Sequence, residues 1–295
     1  MAFILGFLLL LFISYGEIFN FRTISKFNEI KNLLTAVFVG SGFVITLAII
    51  FINSKEINTH LEVFKDWRLY VGLCLEICGV WLTRKNYELN HDSVTAINFS
   101  LFFGIILVPL LSFYLTDFFN FSSGINLKYA SVAQLYLFLV VFLVLMIAYF
   151  FDKLKGHINN IFILLLMPVS LSCSIFWTTK MMQVYEGIIY YALVGFALLI
   201  FFSTAALLNK EYKNLHKSQV KTFMVISSFS ALILPLNILA IKYLAVEFVT
   251  LFKRISQLLV AINIDRKHKK VIIKDKIILT LLIVATFLMF LSTQN

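Results

Sequence analysis

Apolar runs of about twenty residues recur along the whole chain, and short charged connections separate them. A helix of about that length is what the hydrocarbon core of a bilayer requires. A window of this size predicts ten segments, roughly 2–21, 33–52, 68–86, 93–116, 130–151, 159–180, 186–208, 219–241, 245–264 and 273–292. Composition agrees, because 61% of the residues are hydrophobic and only 14% are charged. The chain is therefore predicted to be an all-α polytopic membrane protein with ten transmembrane helices and no separate soluble domain.

The distribution of Lys and Arg predicts an orientation. Connections that follow the odd-numbered segments hold 17 of the 25 Lys and Arg residues, and the even-numbered connections hold 6. Because cytoplasmic loops carry the excess of Lys and Arg, the odd connections are predicted to face the cytoplasm and both termini the opposite side. We read the net charge of +10 as this topology signal and reject nucleic-acid binding as its explanation.

A weak internal similarity divides the chain into an N-terminal five-helix repeat, residues 1–151, and a C-terminal five-helix repeat, residues 152–295. The third segment runs through a polar turn containing Tyr87 into the fourth, and the eighth runs through a turn containing Tyr243 into the ninth. Because five is odd, consecutive halves must have opposite orientations, as in many secondary transporters. Two inverted five-helix repeats are expected to place a substrate site at the midplane between them.

The ninth segment contains two adjacent cations, Lys253 and Arg254, about ten residues from its start. Each costs roughly 2.5–3.5 kcal/mol at a helix centre on insertion scales, so such residues face a protein interior or a water-filled path. The pair is the leading candidate for substrate binding. An internal ion pair that locks helices together is the structural alternative.

Other deep polar residues are concentrated in the first, third, fourth, sixth, eighth and ninth segments. Glu17 and Glu76 are candidates for ion coupling or charge balance, since a buried carboxylate is protonated, paired with a cation such as Lys253 or Arg254, or used to carry protons. Ser and Thr in such helices often bond only to their own helix carbonyls. The remaining candidate substrate contacts are Tyr15, Asn98, Ser174, Trp177, Asn237 and Thr250.

Two short motifs carry a resemblance to a known family. Residues 14–20, SYGEIFN, stand where that family has a Trp-Gly turn in its first helix, and residues 240–243, AIKY, stand where it has Ala-Leu-x-Tyr. On these motifs the chain resembles the drug/metabolite transporter superfamily, in its EamA-like form. The resemblance implies ten helices in two inverted halves, with helices one, three, four, six, eight and nine around a central cavity.

Within that superfamily, residues 252–254, FKR, are similar to the Lys-Arg pair with which triose-phosphate translocators hold phosphate, and nucleotide-sugar transporters also have Lys near this position. The chemistry is compatible, because Arg offers a planar fork for phosphate oxygens and Lys a point charge beside it. The resemblance therefore implies an anionic, phosphate- or carboxylate-bearing substrate.

The leading hypothesis is a secondary transporter that moves a small polar, anionic metabolite by alternating access. The alternative is an exporter of amino acids or cationic and amphipathic compounds, with Lys253 and Arg254 as a structural lock. A membrane-embedded enzyme is disfavoured, because we find no metal-site spacing, paired Asp motif or Ser-His-Asp set, and no cofactor is expected. The expected partners are the small-molecule substrate and the lipid bilayer, a homodimer is left open, and a bacterial inner membrane is the expected location.

Overall fold

Five long helices dominate the computed structural model. It describes residues 26–52, 63–89, 161–185 and 188–243, together with short stretches within 11–24, 107–121 and 140–147. The helices are α1 (Lys31–Ile52), α2 (Trp67–Leu89), α3 (Ile161–Val184), α4 (Ile188–Leu208) and α5 (Val220–Tyr243). Short 3-10 turns precede α1 at Asn28–Ile30 and connect α4 to α5 at Glu211–Asn214 and Lys217–Gln219. Throughout these described ranges, all regular secondary structure is helical.

These helices confirm the second, third, sixth, seventh and eighth predicted segments as helical, with ends within four residues of those predicted. Described positions of the first segment are helical as well. The ninth and tenth segments, and most of the fourth and fifth, lie outside the described residues. The count of ten helices therefore stays a prediction.

Two of the described helices are long and apolar enough to cross a membrane, namely Lys31–Phe51 within α1 and Ile188–Leu208, the whole of α4. Fewer than half of the residues in either one are buried inside the protein. Val44 and Phe51 of α1 and Phe196, Ile200 and Phe201 of α4 are all exposed. Rows of outward apolar side chains on long helices are the arrangement that a hydrocarbon solvent favours.

Helix α1 is central to the described bundle and packs against both α4 and α5, while α2 packs against α3 and α4. Small residues permit close approach between α1 and α4: a Cβ at Gly40 would lie 3.0 Å from Leu199, and a Cβ at Gly195 would lie 3.2 Å from Phe43. Close crossings at small residues are characteristic of membrane helices, where packing replaces the hydrophobic driving force.

Polar contacts reinforce the pairing of α1 with α5. The Ser230 hydroxyl donates to the Phe38 carbonyl at 2.5 Å, and the hydroxyls of Ser41 and Ser227 lie 2.8 Å apart. Thr46 of α1 instead donates to the Gly42 carbonyl one turn back along the same helix. Ser and Thr here make both kinds of hydrogen bond that are common in membrane helices, those between neighbouring helices and those to a carbonyl of the same helix.

The first segment packs against α5. A side chain at Gly16 would overlap Ile233, and the rings of Phe19 and Phe229 are centred 5.3 Å apart. The first predicted segment therefore lies beside the eighth, which is α5. In the same way the third segment, α2, lies beside the sixth, α3.

Candidate functional site

Among the five long helices, Glu76 is the carboxylate that lies farthest from a helix end, nine residues after the start of α2. Its Oε1 accepts a 2.5 Å hydrogen bond from the hydroxyl of Thr178 on α3. Nine residues correspond to about 14 Å of helix, which is close to half of a bilayer core. Thr178 is buried, and Glu76 is half-buried. An ionisable group at this depth is a functional-site candidate by default.

Two glycines allow neighbouring helices to approach the backbone of α2 on either side of Glu76. A side chain at Gly72 would overlap the Tyr190 hydroxyl of α4, and a Cβ at Gly79 would lie 3.5 Å from the Ser174 hydroxyl of α3. Gly72 is one helical turn before Glu76, and helical side chains lean toward the N-terminus. The Glu76 carboxylate and the Tyr190 hydroxyl therefore converge on the same turn of α2.

Tyr190 presents an unsatisfied hydroxyl to this region. Its side chain is fully buried, and its oxygen makes no hydrogen bond within the described part of the chain. The hydroxyl lies beside Thr178, outside hydrogen-bond geometry, and within electrostatic range of Glu76. We refer to Gly72, Glu76, Ser174, Thr178 and Tyr190 together as the Glu76 site. It joins α2, α3 and α4.

A second polar cluster lies toward the C-terminal end of α2. Arg84 Nη1 donates to Asn32 Oδ1 at 2.5 Å, and Asn32 Nδ2 donates to Glu211 Oε1 at 2.5 Å. Glu211 Oε2 also accepts from the Leu33 backbone N–H at 2.9 Å. The carboxylate thereby satisfies a donor in the first turn of α1 and lies at the positive end of the helix dipole. Arg84, Asn32 and Glu211 are all buried.

The backbone at Lys210 directs Glu211 into this cluster. Lys210, two residues after α4 ends, is in the left-handed region, with φ 54° and ψ 31°, and its N–H donates to the Leu207 carbonyl. A residue with a Cβ pays roughly 1–2 kcal/mol for that conformation. The reversal of direction brings the next side chain under the N-terminus of α1.

Glu88, one turn after Arg84, completes this cluster. Its carboxylate lies 3.3 Å from Lys31, 3.2 Å from Lys85 and 3.3 Å from Arg84 Nε. The Arg84 contact is an ion pair without hydrogen-bond geometry. The guanidinium also lies 5.2 Å from the ring centre of Phe202 on α4. The Arg84 network comprises Lys31, Asn32, Arg84, Lys85, Glu88 and Glu211.

A third cluster lies at the opposite end of α2, about 24 Å from Arg84 along the helix. Asp66 caps the helix by accepting from the Arg68 N–H at 2.9 Å, and it also binds the Arg68 guanidinium at 2.7 Å. Tyr185, just after α3, donates its hydroxyl to Asp66 at 2.6 Å. Trp177 donates its indole N–H to the Arg68 carbonyl at 2.8 Å and packs edge-on against Trp67. These five residues are the Arg68 cluster.

Charge and hydrogen bonding set the ionisation of Asp66 and Tyr185. Burial alone would raise the pKa of Asp66, but hydrogen bonds from Arg68 and Tyr185 outweigh it and lower that pKa. The pKa of Tyr185 is raised, first by burial and then by its bond to the Asp66 carboxylate. At neutral pH the pair is therefore an aspartate and a neutral phenol.

No family model, curated protein or solved structure matches this chain. The resemblance to drug/metabolite transporters thus rests on the motifs at residues 14–20, 240–243 and 252–254. Beyond these motifs, the proposed function depends on the Glu76 site, the Arg84 network and the Arg68 cluster.

The predicted site residues fall into three groups. Glu76, Ser174 and Trp177 lie on α2 and α3 as described, with the Trp177 indole N–H already bonded to a backbone carbonyl. Tyr15 is half exposed and Glu17 half-buried, both in the first segment. The other predicted contacts lie outside the residues or side chains that the structure describes: Asn98, Asn237, Thr250, Lys253 and Arg254.

Several buried polar residues are not among the sequence-based candidates. Asn32 and Glu211 are charged or polar residues beside connections, and nothing local indicates that they meet across 179 positions. Tyr190 is one of several tyrosines in an apolar run. Lys180 is fully buried within α3, although the predicted segment ends there and the charge count places the residue in a loop. A helix period that continues past residue 180 is the signal that could have found it.

Proposed function

We propose that this chain is a polytopic membrane protein of two inverted repeats, resembling the drug/metabolite transporters, and that it moves a small polar, anionic metabolite by alternating access. Its proposed location is a bacterial inner membrane, with the odd connections in the cytoplasm. Several independent features of the described helices support this proposal.

Helix positions support the repeat. Helix α4 begins 157 residues and ends 156 residues after α1, and α5 begins 153 and ends 154 residues after α2. Within this spacing, Val39-Gly40 of α1 and Val194-Gly195 of α4 are identical dipeptides 155 positions apart. A shift of about 155 residues therefore brings α1 onto α4 and α2 onto α5, and it aligns the two Val-Gly dipeptides.

Helix contacts support the same shift. Adding 155 to the number of Gly40 gives Gly195. Gly40 packs against Leu199 of α4, and Gly195 packs against Phe43 of α1. Adding 155 to 43 gives 198, one position from Leu199. Two helices that are exchanged by a two-fold axis and cross on it make reciprocal contacts of this kind. The order of contacts along the chain is opposite in α1 and α4, as inverted orientations require.

The first segment and α3 provide a second exchanged pair. A Cβ at Gly16 would overlap Ile233 of α5, whereas a Cβ at Gly79 of α2 would lie 3.5 Å from Ser174 and 3.9 Å from Leu171 of α3. Adding 155 to 16 gives 171, and adding 155 to 79 gives 234, one position from the observed partner. Both interfaces are therefore compatible with the two-fold relation that we propose.

The observation that carries the transport proposal is the position of Glu76 between the proposed halves. Its helix α2 belongs to the first half, and Thr178 and Tyr190 belong to the second. The Arg84 network and the Arg68 cluster bridge the same halves, one at each end of α2, through Glu211 and Tyr185. A deep polar site with a breakable polar contact at either end is the layout that alternating access needs.

The proposed substrate site adds residues of the ninth segment. Lys253 and Arg254 would hold the anionic group, with Thr250 on the same helix side. Tyr15, Asn98, Ser174, Trp177 and Asn237 would contact the rest of the substrate. Glu17 and Glu76 would act in coupling or charge balance.

A thermal-shift screen of the purified full chain tests this function. Sugar phosphates, nucleotide sugars, inorganic phosphate, amino acids and quaternary amines are compared on wild type, Lys253→Ala and Arg254→Ala. A ligand at one hundred times its dissociation constant stabilises by about 2.7 kcal/mol, which is readily measured. We expect an anionic compound to stabilise the wild type and to lose that effect in both variants.

Lys221→Ala is a matched control, because Lys221 is an exposed cation at the start of α5. Its ligand response should equal that of the wild type. Stabilisation by a cation or neutral compound, or variants that unfold more easily but keep the anion response, would overturn the anion assignment. That result would favour the exporter with a structural Lys253-Arg254 lock.

A further inference from the structure

We propose that the turn between α4 and α5 binds the headgroups of anionic phospholipids. Its binding surface consists of Lys210, Tyr212, Lys213, Leu215 and Lys217, which are all exposed, and we call it the lysine surface. Lipid binding at this turn is separate from the proposed transport function, because none of these residues belongs to the proposed substrate site. Only the choice of the cytoplasmic leaflet rests on the proposed orientation.

The exposed lysines of this turn carry its outward charge. Lys210, Lys213 and Lys217 lie within eight consecutive residues. Glu211 is the one carboxylate in residues 209–219, and it is buried in the Arg84 network. The turn therefore presents a concentrated positive charge to an anion outside the protein.

These lysines differ from the cations of the neighbouring Arg84 network. There, the ammonium groups of Lys31 and Lys85 lie 3.3 Å and 3.2 Å from the Glu88 carboxylate. Among the described residues, no carboxylate forms a salt bridge with a lysine of the lysine surface. Each of its ammonium groups can therefore bind an external anion as a point charge.

Hydrogen bonds within the turn hold its backbone in shape. The Lys210 N–H donates to the Leu207 carbonyl at 3.0 Å, and the Lys213 N–H donates to the Lys210 carbonyl at 3.1 Å. In the second half, the His216 N–H donates to Gln219 Oε1 and the Gln219 N–H donates to the His216 carbonyl, both at 2.9 Å. A preorganised surface loses little conformational entropy when it binds, which favours affinity.

Apolar side chains beside the lysines favour a lipid over a water-soluble partner. Leu207 and Leu208 in the last turn of α4 are 64% and 77% exposed, and Tyr212 and Leu215 are half exposed. Helix α4 is long and apolar enough to cross a membrane. A tyrosine beside the end of such a helix is typical of the headgroup level, where lysine stems cover apolar surface and their ammonium groups reach the polar region. Lipid phosphates lie at that depth.

The charge of the lysine surface matches anionic headgroups. Each Lys near an anionic membrane surface is expected to raise affinity about fivefold, the equivalent of about 1 kcal/mol. Three lysines together would favour anionic over neutral lipid by up to about a hundredfold. In the proposed orientation the turn is an odd connection and faces the cytoplasmic leaflet, whose surface is negative.

The test measures which lipids lie next to the turn. The full-length protein carries a fluorophore on Asn214→Cys, with the native Cys74, Cys78 and Cys173 replaced by alanine, in phosphatidylcholine vesicles. Spin-labelled phosphatidylglycerol or spin-labelled phosphatidylcholine is included as the quencher. We expect phosphatidylglycerol to quench at a far lower mole fraction, and this preference should shrink as salt is added, because salt screens exposed charges.

Removal of the lysines tests the source of the preference. Lys210→Gln, Lys213→Gln and Lys217→Gln should each reduce it about fivefold, and the triple variant should bring it close to one. Lys65→Gln is the matched control, because it removes an exposed lysine at the other end of α2, and it should keep the wild-type preference. All four side chains are exposed, so Tm in a neutral detergent should stay at the wild-type value and confirm that the variants fold.

Equal quenching by the two lipids in the wild type would overturn the proposal, as would a phosphatidylglycerol preference that survives in the triple variant. Displacement of the lipid by inorganic phosphate, but not by chloride of the same ionic strength, would assign the surface to a soluble anion and overturn the choice of a lipid.

The lipid test and the substrate test fail separately. Lys253→Ala should keep the phosphatidylglycerol preference even where it loses the response to a soluble anionic substrate. A lipid preference without any such response would leave the lysine surface standing and remove the proposed substrate.

Discussion

The two ends of α2 each hold an arginine, the buried Arg84 and the half-buried Arg68, through different contacts. At the Arg84 end, Glu88 on the same helix supplies the ion pair, and hydrogen bonds through Asn32 of α1 connect Arg84 to Glu211 in the turn after α4. At the Arg68 end, the counter-charge is Asp66, two residues away, and aromatic rings pack around the pair.

This difference determines what breaks when the proposed halves separate. The Asp66–Arg68 ion pair lies within one half and would survive, so only the bonds from Tyr185 and Trp177 would be lost. At the Arg84 end, separation would strip Glu211 from both Asn32 and the N-terminus of α1. The Arg84 network is therefore expected to be the more costly end to open.

The largest expected effect comes from removal of Glu211. Glu211→Ala leaves the Asn32 side-chain amide and the Leu33 N–H without their acceptor in a buried place and removes a charge near Arg84, so unfolding in an SDS titration should become easier by about 3 kcal/mol. Glu211→Gln keeps the shape and one acceptor and should cost less. Equal and small effects for both variants would show that the network adds nothing to closure of this end.

Asp66→Asn is expected to have a smaller effect, about 2 kcal/mol in the same titration, because it removes the ion pair with Arg68 but keeps a side chain that can cap α2. The surrounding aromatic packing remains. A cost above that of Glu211→Ala would reverse the proposed ranking of the two ends.

Tyr185→Phe isolates the part of the Arg68 cluster that crosses between helices. It removes one hydrogen bond to a carboxylate and should cost about 1.5 kcal/mol while leaving the ion pair intact. In the double variant with Asp66→Asn the two costs should not add, since Tyr185 and Asp66 are in contact. Simple additivity would contradict the contact as described.

Lys210→Gly should be mildly stabilising, by about 0.5 kcal/mol, because glycine adopts the left-handed conformation without the Cβ penalty. The unfolding midpoint should rise slightly, and Lys213→Gly, three residues later in the 3-10 turn, serves as the control that should not stabilise. A loss of stability at Lys210 would mean that its side chain, rather than its backbone, supports the turn before Glu211.

The pH dependence of the Arg68 end should be flat near neutrality. Since folding lowers the pKa of Asp66, its stabilising contribution is present above the unfolded value of about 3.9 and is lost as the pH falls through the folded value. Tyr185 has a raised pKa, so its contribution persists until the pH exceeds about 10. The stability difference between wild type and Asp66→Asn should therefore stay constant from about pH 5 to 9 and shrink below about pH 4.

Apolar runs were sufficient to predict the described helices, because a helix that spans hydrocarbon must satisfy all of its backbone groups internally and leaves a continuous apolar sequence. The same logic identified Glu76, since a carboxylate inside such a run is visible without any structure. Ser174 and Trp177 were also found on the helix that faces α2, although their predicted contact with substrate is untested.

Tertiary structure alone decided which polar residues meet. Tyr190 became notable only when Gly72 brought it against α2, and Glu211 only when the left-handed Lys210 directed it toward Asn32. The charge pattern places Arg84 and Lys180 among the loop cations, yet both are buried within helices. Local sequence encodes the period and length of each helix, whereas contacts between residues more than a hundred positions apart depend on how the helices pack, and no local pattern records that.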